Sequence, residues 1–235
     1  MEGLIEIKDL YKRFGKFEVL KGVNFKIFKE ECFGLLGPNA AGKTTLIRCL
    51  LRILKKSKGE IFFAGKQLSE EDVYRHFGYL PENFSPPKQL TPVDFLSLLG
   101  KKKVRIKDAL AYVGLEKQAN KRIKSFSRGM VQRLGFAFIL INEPEVIILD
   151  EPTLGLDPLG QIQITQLIKR MKNEGKTIFI CSHILSQIEK VVDRVGIMDK
   201  GRVLYEGWLT DFLDKNKSQN LEEAFLKELR NERNI

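Results

Sequence analysis

Gly37-Pro38-Asn39-Ala40-Ala41-Gly42-Lys43-Thr44-Thr45 is the stretch that decides how this chain is read. It fills every fixed position of the phosphate-loop pattern G-x-x-x-x-G-K-[ST]. The flanks agree: Cys32-Phe33-Gly34-Leu35-Leu36 reads as a short buried strand, and Leu46-Ile47-Arg48-Cys49-Leu50-Leu51 as a helix with an apolar face. Glycines let the backbone bend until successive N–H groups point at phosphate oxygens, and the helix N-terminus adds partial positive charge. Lys43 is expected to reach the β/γ-phosphates and the Thr44 hydroxyl to sit on Mg²⁺. Strand, loop and helix in this order predict a nucleoside triphosphate site.

A second strand signal lies downstream. Val146-Ile147-Ile148-Leu149 is an apolar run ending in Asp150-Glu151, as expected of a central parallel strand buried on both faces. Ligands of such sheets bind outside the carboxyl edge. Asp150 is therefore a candidate Mg²⁺ ligand and Glu151 a candidate to polarise water for in-line attack. Leu159 to Lys172 reads as a long helix and Thr177-Ile178-Phe179-Ile180-Cys181 as another buried strand, completing βαβ logic.

Elsewhere the pattern changes. Leu4–Ile7, Val19-Leu20 and Val23–Ile27 alternate as strands do, predicting an antiparallel layer ahead of the phosphate-loop strand, and Ile61–Gly65 adds another strand closed by a Gly-Lys turn. Between about Ser85 and Leu140 helical spacing dominates, with Thr91-Pro92 as a helix start. The expected fold is α/β: a phosphate-loop NTPase core with a mostly parallel sheet (1–84 and 141–210), a helical insertion (85–140) and a helical tail (211–235).

Composition narrows the class. Hydrophobic content of 43% and charged content of 30% suit a soluble globular chain, and no apolar run approaches the ~18 residues of a membrane span. The start, Met1-Glu2-Gly3-Leu4, lacks the basic and apolar regions of a secretory signal. Cys32, Cys49 and Cys181 are odd in number and without C-x-x-C spacing, which reads as reduced packing residues in a cytosolic protein. The net charge of +10 favours anionic partners. Outside Lys101–Lys103 and Lys117 to Lys124 the basic residues are scattered, and those runs lack the interleaved aromatics of base-stacking modules, so no nucleic-acid partner is expected.

Phe126-Ser127-Arg128-Gly129-Met130-Val131-Gln132-Arg133 then narrows the family. It resembles the signature segment of the ATP-binding-cassette (ABC) family, Leu-Ser-Gly-Gly-Gln in its commonest form. Ser127 can cap the helix that follows, whose dipole favours an anion. The resemblance runs from about Leu4 to Asp211 with the motifs in family order. It implies that Ser127, Arg128, Gly129 and Met130 meet the γ-phosphate of ATP held by a second, head-to-tail copy. It also makes Asp157 of Leu154-Gly155-Leu156-Asp157 the residue that communicates across the dimer, and His183 the γ-phosphate sensor. Lys12-Arg13-Phe14-Gly15 is similar to the family's adenine-stacking loop; Phe14 is the candidate, with Tyr11 and Phe17 in competition.

Further expectations follow from the resemblance: ATP and Mg²⁺ as cofactors, ATP hydrolysis with Glu151, His183, Lys43 and Asp157 catalytic, a homodimer, and a separate polytopic transmembrane permease. They place the chain in the cytoplasm, peripheral on the inner face of the cell membrane. Three positions depart from the common pattern. Ala40 replaces a frequent glycine, Glu82 stands where a glutamine is usual and can ligand Mg²⁺ directly or through water, and Arg128-Gly129-Met130 replaces Gly-Gly-Gln. Arg128 brings a positive charge beside the γ-phosphate or points to solvent. The Leu-Pro-Glu and Ser-Arg-Gly-Met segments are similar to the daunorubicin-type drug exporter branch. The permease is expected near Glu82 and the insertion, with Phe84, Leu90, Phe95 and Leu96 as candidate groove residues. A soluble ABC ATPase acting on nucleic acid or ribosomes is the competing reading; a non-hydrolysing regulatory module is disfavoured by Glu151 and His183.

Overall fold

The computed structural model describes residues 3–100 and 102–233; Met1 and Glu2 of the amino-terminal reading, and Lys101 of the basic run, lie outside the described residues. In chain order the strands and helices are β1 (Ile5–Phe14), β2 (Phe17–Ile27), β3 (Cys32–Leu36), α1 (Lys43–Leu50), β4 (Lys58–Phe63), β5 (Lys66–Gln67), α2 (Glu70–His76), β6 (Phe77–Leu80), α3 (Pro92–Ser97), α4 (Lys103–Tyr112), α5 (Arg128–Leu140), β7 (Val146–Asp150), α6 (Pro158–Asn173), β8 (Thr177–Ser182), α7 (Leu185–Ile188), β9 (Arg194–Asp199), β10 (Arg202–Trp208), α8 (Leu209–Lys215) and α9 (Leu221–Arg233).

The main sheet has the order β10-β9-β3-β8-β7-β6. From β9 to β6 every neighbouring pair is parallel, and β10 closes the edge antiparallel to β9. Period-two alternation sends the side chains of each central strand to two cores. Cys32, Leu36, Ile147, Leu149, Ile178 and Ile180 face the core built with the later helices. Phe33, Leu35, Val146, Ile148, Phe179 and Cys181 face the core shared with α1 and the antiparallel sheet. Burial on both faces is why these strands are unbroken apolar runs.

The antiparallel layer is present as a second sheet, β2-β1-β4-β5. Val19-Leu20 and Val23–Ile27 belong to one long strand, and β1 continues past Ile7 to Phe14 through register shifts around Asp9, whose φ is 46°. Between residues 85 and 140 the ordered elements are α3, α4 and α5 with two short 3₁₀ turns. Thr91 caps α3 in a reciprocal box with Asp94, and Pro92 occupies the first turn. Phe95 and Leu96 are buried, while Phe84 and Leu90 are partly buried against the same core. All three cysteines are free and buried.

Candidate functional site

β3, β8 and β7 are neighbours in the sheet, so the segments after their carboxyl ends meet at one edge. Leu36 is in register with Ser182, and Asp150 with Cys181. That register places the phosphate loop, Asp150-Glu151 and Ser182-His183 side by side. The loop itself needs its glycines: a Cβ at Gly37 would collide with the Met198 carbonyl, and Gly42 caps α1 with φ 108°. Ala40 tolerates a left-handed φ of 66°.

The resulting cavity, about 630 Å³, is lined by Asn39 to Thr45, Glu82, Glu151, Leu154 and His183, with Phe17 and Val19 on the flank. Lys43 Nζ donates to the carbonyls of Gly37 (2.6 Å) and Pro38 (3.2 Å) and lies 3.8 Å from Glu151 Oε1. His183 Nδ1 is 2.8 Å from Glu151 Oε1, while Ser182 Oγ and the His183 N–H donate to Oε2 at 3.1 and 3.2 Å. Glu151 holds this position with φ 51° and with its N–H on the Cys181 carbonyl. Its carboxylate therefore stands in a fixed cage between the loop lysine and the histidine.

Asp150 is almost wholly buried; Oδ2 accepts from Thr44 Oγ1 at 3.0 Å, and buried Oδ1 has no hydrogen-bond partner. Burial raises its carboxyl above the usual range, and the charges of Glu151 and Glu82 add to that, against the opposing Thr44 bond and Lys43 charge. The neighbouring Tyr79 phenol is also pushed up, first by its own burial and then by the Asp150 charge. An unsatisfied carboxylate oxygen beside a threonine hydroxyl, with Glu82 on the same cavity, suits a hard divalent cation completed by phosphate and water oxygens. Among the described residues no cluster of three or more His, Cys, Asp or Glu forms a closed metal cage.

The aromatic lining this cavity is Phe17. Phe14 pairs with it across the β1–β2 turn and carries the Lys12 ammonium 4.7 Å over its ring. Tyr11 is turned instead beneath Gly22. Ser127 caps α5 by accepting the Met130 N–H at 3.3 Å, and Asp157 caps α6 by accepting the Gly160 N–H at 2.6 Å. Ser127, Arg128, Gly129, Met130 and Asp157 share a separate hollow with Gly155, and no residue lines both it and the phosphate-loop cavity. The Arg128 guanidinium lies against Gly155, where a Cβ would overlap it. Arg128 thus ties its own signature segment to the Leu154–Asp157 loop, a contact absent from both sequence alternatives. His76, unassigned from sequence, sits 3.3 Å from Glu145 on the surface. Sequence reasoning passed over Ser182, although a polar residue closing an apolar strand next to His183 was the available signal.

A phosphate loop following one parallel strand, with an acid pair on a nearby strand of the same sheet edge, defines a phosphate-loop nucleoside triphosphatase. The profile of the ABC transporter family matches residues 20–154. An ABC transporter ATP-binding protein from Synechocystis sp. is 40% identical over 92% of this chain and 66% of its own length. The lantibiotic transport ATP-binding protein of Streptococcus pyogenes is 38% identical over 94% of this chain and 96% of its own. A solved ATP-binding subunit of an ABC transporter superposes with TM-score 0.84 at 29% identity, covering 96% of this chain and 99% of that one. This chain belongs to the ABC transporter family as one of its ATP-binding proteins. It spans about two thirds of the length of the cyanobacterial relatives it matches, 66% and 64%.

Proposed function

We propose that this chain binds Mg-ATP at the phosphate-loop cavity and hydrolyses it to energise an exporter whose channel is a separate membrane subunit. The observation carrying this reading is the Glu151 cage. A carboxylate fixed by Ser182, His183 and the facing Lys43, at the mouth of a phosphate loop, is positioned to take a proton. In this reading Glu151 accepts the proton of the water that attacks the γ-phosphorus while the bond to the bridging oxygen of ADP breaks. Lys43 leaves the Gly37 and Pro38 carbonyls for the phosphate oxygens, His183 senses the γ-phosphate, and Phe17 stacks on the base. Thr44, Asp150 and Glu82 would hold Mg²⁺, which would offset charge on the phosphate oxygens.

The Ser127–Met130 hollow is assigned to the triphosphate of a second copy, and Asp157 to communication between copies. Residues 85–140 form the proposed unit that meets the permease. The export direction rests on the similarity to the lantibiotic transport protein. The channel is assigned to a partner, with this chain at its cytoplasmic face, on the similarity to transport ATP-binding proteins; among the described residues no helix is long and apolar enough to cross a membrane.

Replacing Glu151 tests the chemistry. Glu151→Gln is expected to keep ATP affinity, to slow hydrolysis about 10²–10³-fold, and to accumulate an ATP-dependent dimer in size-exclusion chromatography. Hydrolysis at the wild-type rate would remove Glu151 from the role of base. Affinity isolation from gently solubilised native membranes tests the partner. A stoichiometric polytopic protein is expected, whereas recovery with ribosomes or DNA alone would favour the nucleic-acid reading.

A further inference from the structure

The net charge of this protein is not spread over it. Residues 85–140 contain 12 Lys and Arg against 3 Asp and Glu, a net +9 that leaves +1 of the whole-chain +10 for the other 179 residues. Part of this charge is used internally: Arg105 pairs with Glu143, and Arg133 donates to the carbonyls of Val113 and Gly114. Among the exposed cations left unpaired, which include Lys102, Lys103 and Lys107, the residues Lys88, Lys117, Lys121, Arg122 and Lys124 form one group. All five are exposed, and their side chains make no hydrogen bond or ion pair among the described residues.

The chain brings these five together. The Lys124 N–H bonds to the Lys88 carbonyl and the Ile123 N–H to the Leu90 carbonyl, so the loop before α3 lies along the segment before Ser127. The Lys121 N–H bonds to the Gln118 carbonyl in a turn that returns Lys121 toward Lys117. Nearby acids do not neutralise the group: Asp94 is engaged in the Thr91 capping box, and Glu116 is a single exposed carboxylate.

We propose that this basic face docks directly on the anionic headgroups of a phospholipid bilayer. A cluster of four to eight Lys and Arg is the arrangement that an anionic leaflet attracts. Single-stranded nucleic acid would need stacking aromatics among the cations. Phe126, the ring that follows Lys124 in the same segment, is instead packed partly buried against the core. The face is built on loops and 3₁₀ turns, so it offers no long helix to a duplex groove. The choice of a membrane over other anionic surfaces rests on the transporter reading above. The docking supplies the chain with membrane affinity of its own, apart from the permease, and orients the insertion toward the bilayer.

The test uses the full chain and sedimentation with vesicles of phosphatidylcholine alone or with about 30% phosphatidylglycerol. No permease is present, so failure here is separate from failure of the transporter reading, which Glu151→Gln and affinity isolation address. Wild-type chain is expected to bind the anionic vesicles at least about tenfold more tightly, with the difference fading as salt rises. The variant K121E/R122E/K124E is expected to lose about tenfold. A control, K29E/K169E/K190E, removes the same charge at exposed, unpaired lysines elsewhere and is expected to lose no more than about threefold. Melting temperature and ATP binding report whether each variant is folded; if the triple reversal unfolds, the single variants Lys121→Glu and Lys124→Glu replace it. Equal losses in test and control variants, or no preference for anionic vesicles, would overturn the proposal. So would short single-stranded DNA binding the face more tightly than the vesicles at equal phosphate concentration.

Discussion

In the proposed chemistry Glu151 can take a proton from water only while its carboxylate is held in place. Its Oε2 accepts from Ser182 Oγ and from the His183 N–H, and the same Ser182 oxygen accepts the Ile184 N–H, so one buried hydroxyl links the acid to the segment that carries the histidine. A hydrogen bond to a charged group contributes about 1.5–3 kcal/mol. Ser182→Ala is therefore expected to lower the single-turnover hydrolysis rate about 10- to 100-fold, while nucleotide titration shows unchanged affinity. A variant that changes only affinity would make Ser182 a binding residue. Gly155 presents a backbone test of comparable sharpness. Its φ of 67° disfavours any side chain, and the Arg128 guanidinium fills the space a Cβ would take. Gly155→Ala is expected to destabilise the chain by about 1–3 kcal/mol, measured by urea denaturation. Because that guanidinium is the exposed end of a flexible side chain and can swing aside, adding Arg128→Ala is expected to leave the loss unchanged.

At the scale of elements, Arg194 opens β9 and fastens the two sheets together. Its guanidinium donates to the Lys26 carbonyl on β2, to Glu31 (3.1 Å) and to Glu206 on β10 (2.7 Å), and Glu206 in turn accepts the Lys26 N–H. Glu31 is buried, which pushes its carboxyl above the usual range; the Phe28 N–H and Arg194 oppose that shift. Arg194→Leu leaves the carboxylate buried without its cation and is expected to cost about 3–5 kcal/mol at pH 7. The sign with pH follows from linkage. Removing the cation raises the folded-state pKa of Glu31 further, so the neutral acid suits the folded state and its contribution is lost as pH rises through that value. The variant's deficit should accordingly be smaller near pH 4 and grow toward neutrality, as chemical denaturation across pH would show. None of this joint was legible in the sequence, because an arginine before Val195-Gly196-Ile197-Met198 gives no local sign of carboxylates 163 residues away at Glu31. The phosphate loop, the acid pair and the signature cap were legible because each is a short local pattern. The extent of β1 was not: beyond Ile7 only Leu10 is buried, and its pairing with β2 passes through bulges that break period-two alternation. Phe17 rather than Phe14 reaches the cavity for a similar reason. The two rings are directly opposed across a two-residue turn and share one face of the hairpin, so no local pattern ranks one above the other.

In the proposed reading the molecule carries two half-sites, the phosphate-loop cavity and the Ser127–Asp157 hollow, that do not meet within one chain. The phosphate-loop cavity and the Ser127–Asp157 hollow share no lining residue, yet the proposed chemistry needs both around one triphosphate. Two copies related by a two-fold axis satisfy this, since each offers its hollow to the other's loop. That arrangement makes a prediction no single-chain site can imitate. Ser127→Arg blocks the hollow but keeps Glu151, and Glu151→Gln disables the base but keeps the hollow. Each variant alone is expected to be inactive as a homodimer. In a mixed dimer one site combines both lesions, and the other joins an intact loop to an intact hollow. An equimolar mixture pairing at random should then contain heterodimers as half of its dimers and recover roughly a quarter of the wild-type sites. Steady-state phosphate release from the mixture, against each variant alone at the same total concentration, reads this out. Recovery to that level would establish that Ser127 acts on the nucleotide of the other copy. A mixture no more active than its components, with heterodimers confirmed by differential tagging, would place Ser127 in the service of its own chain and remove the reason for the dimer.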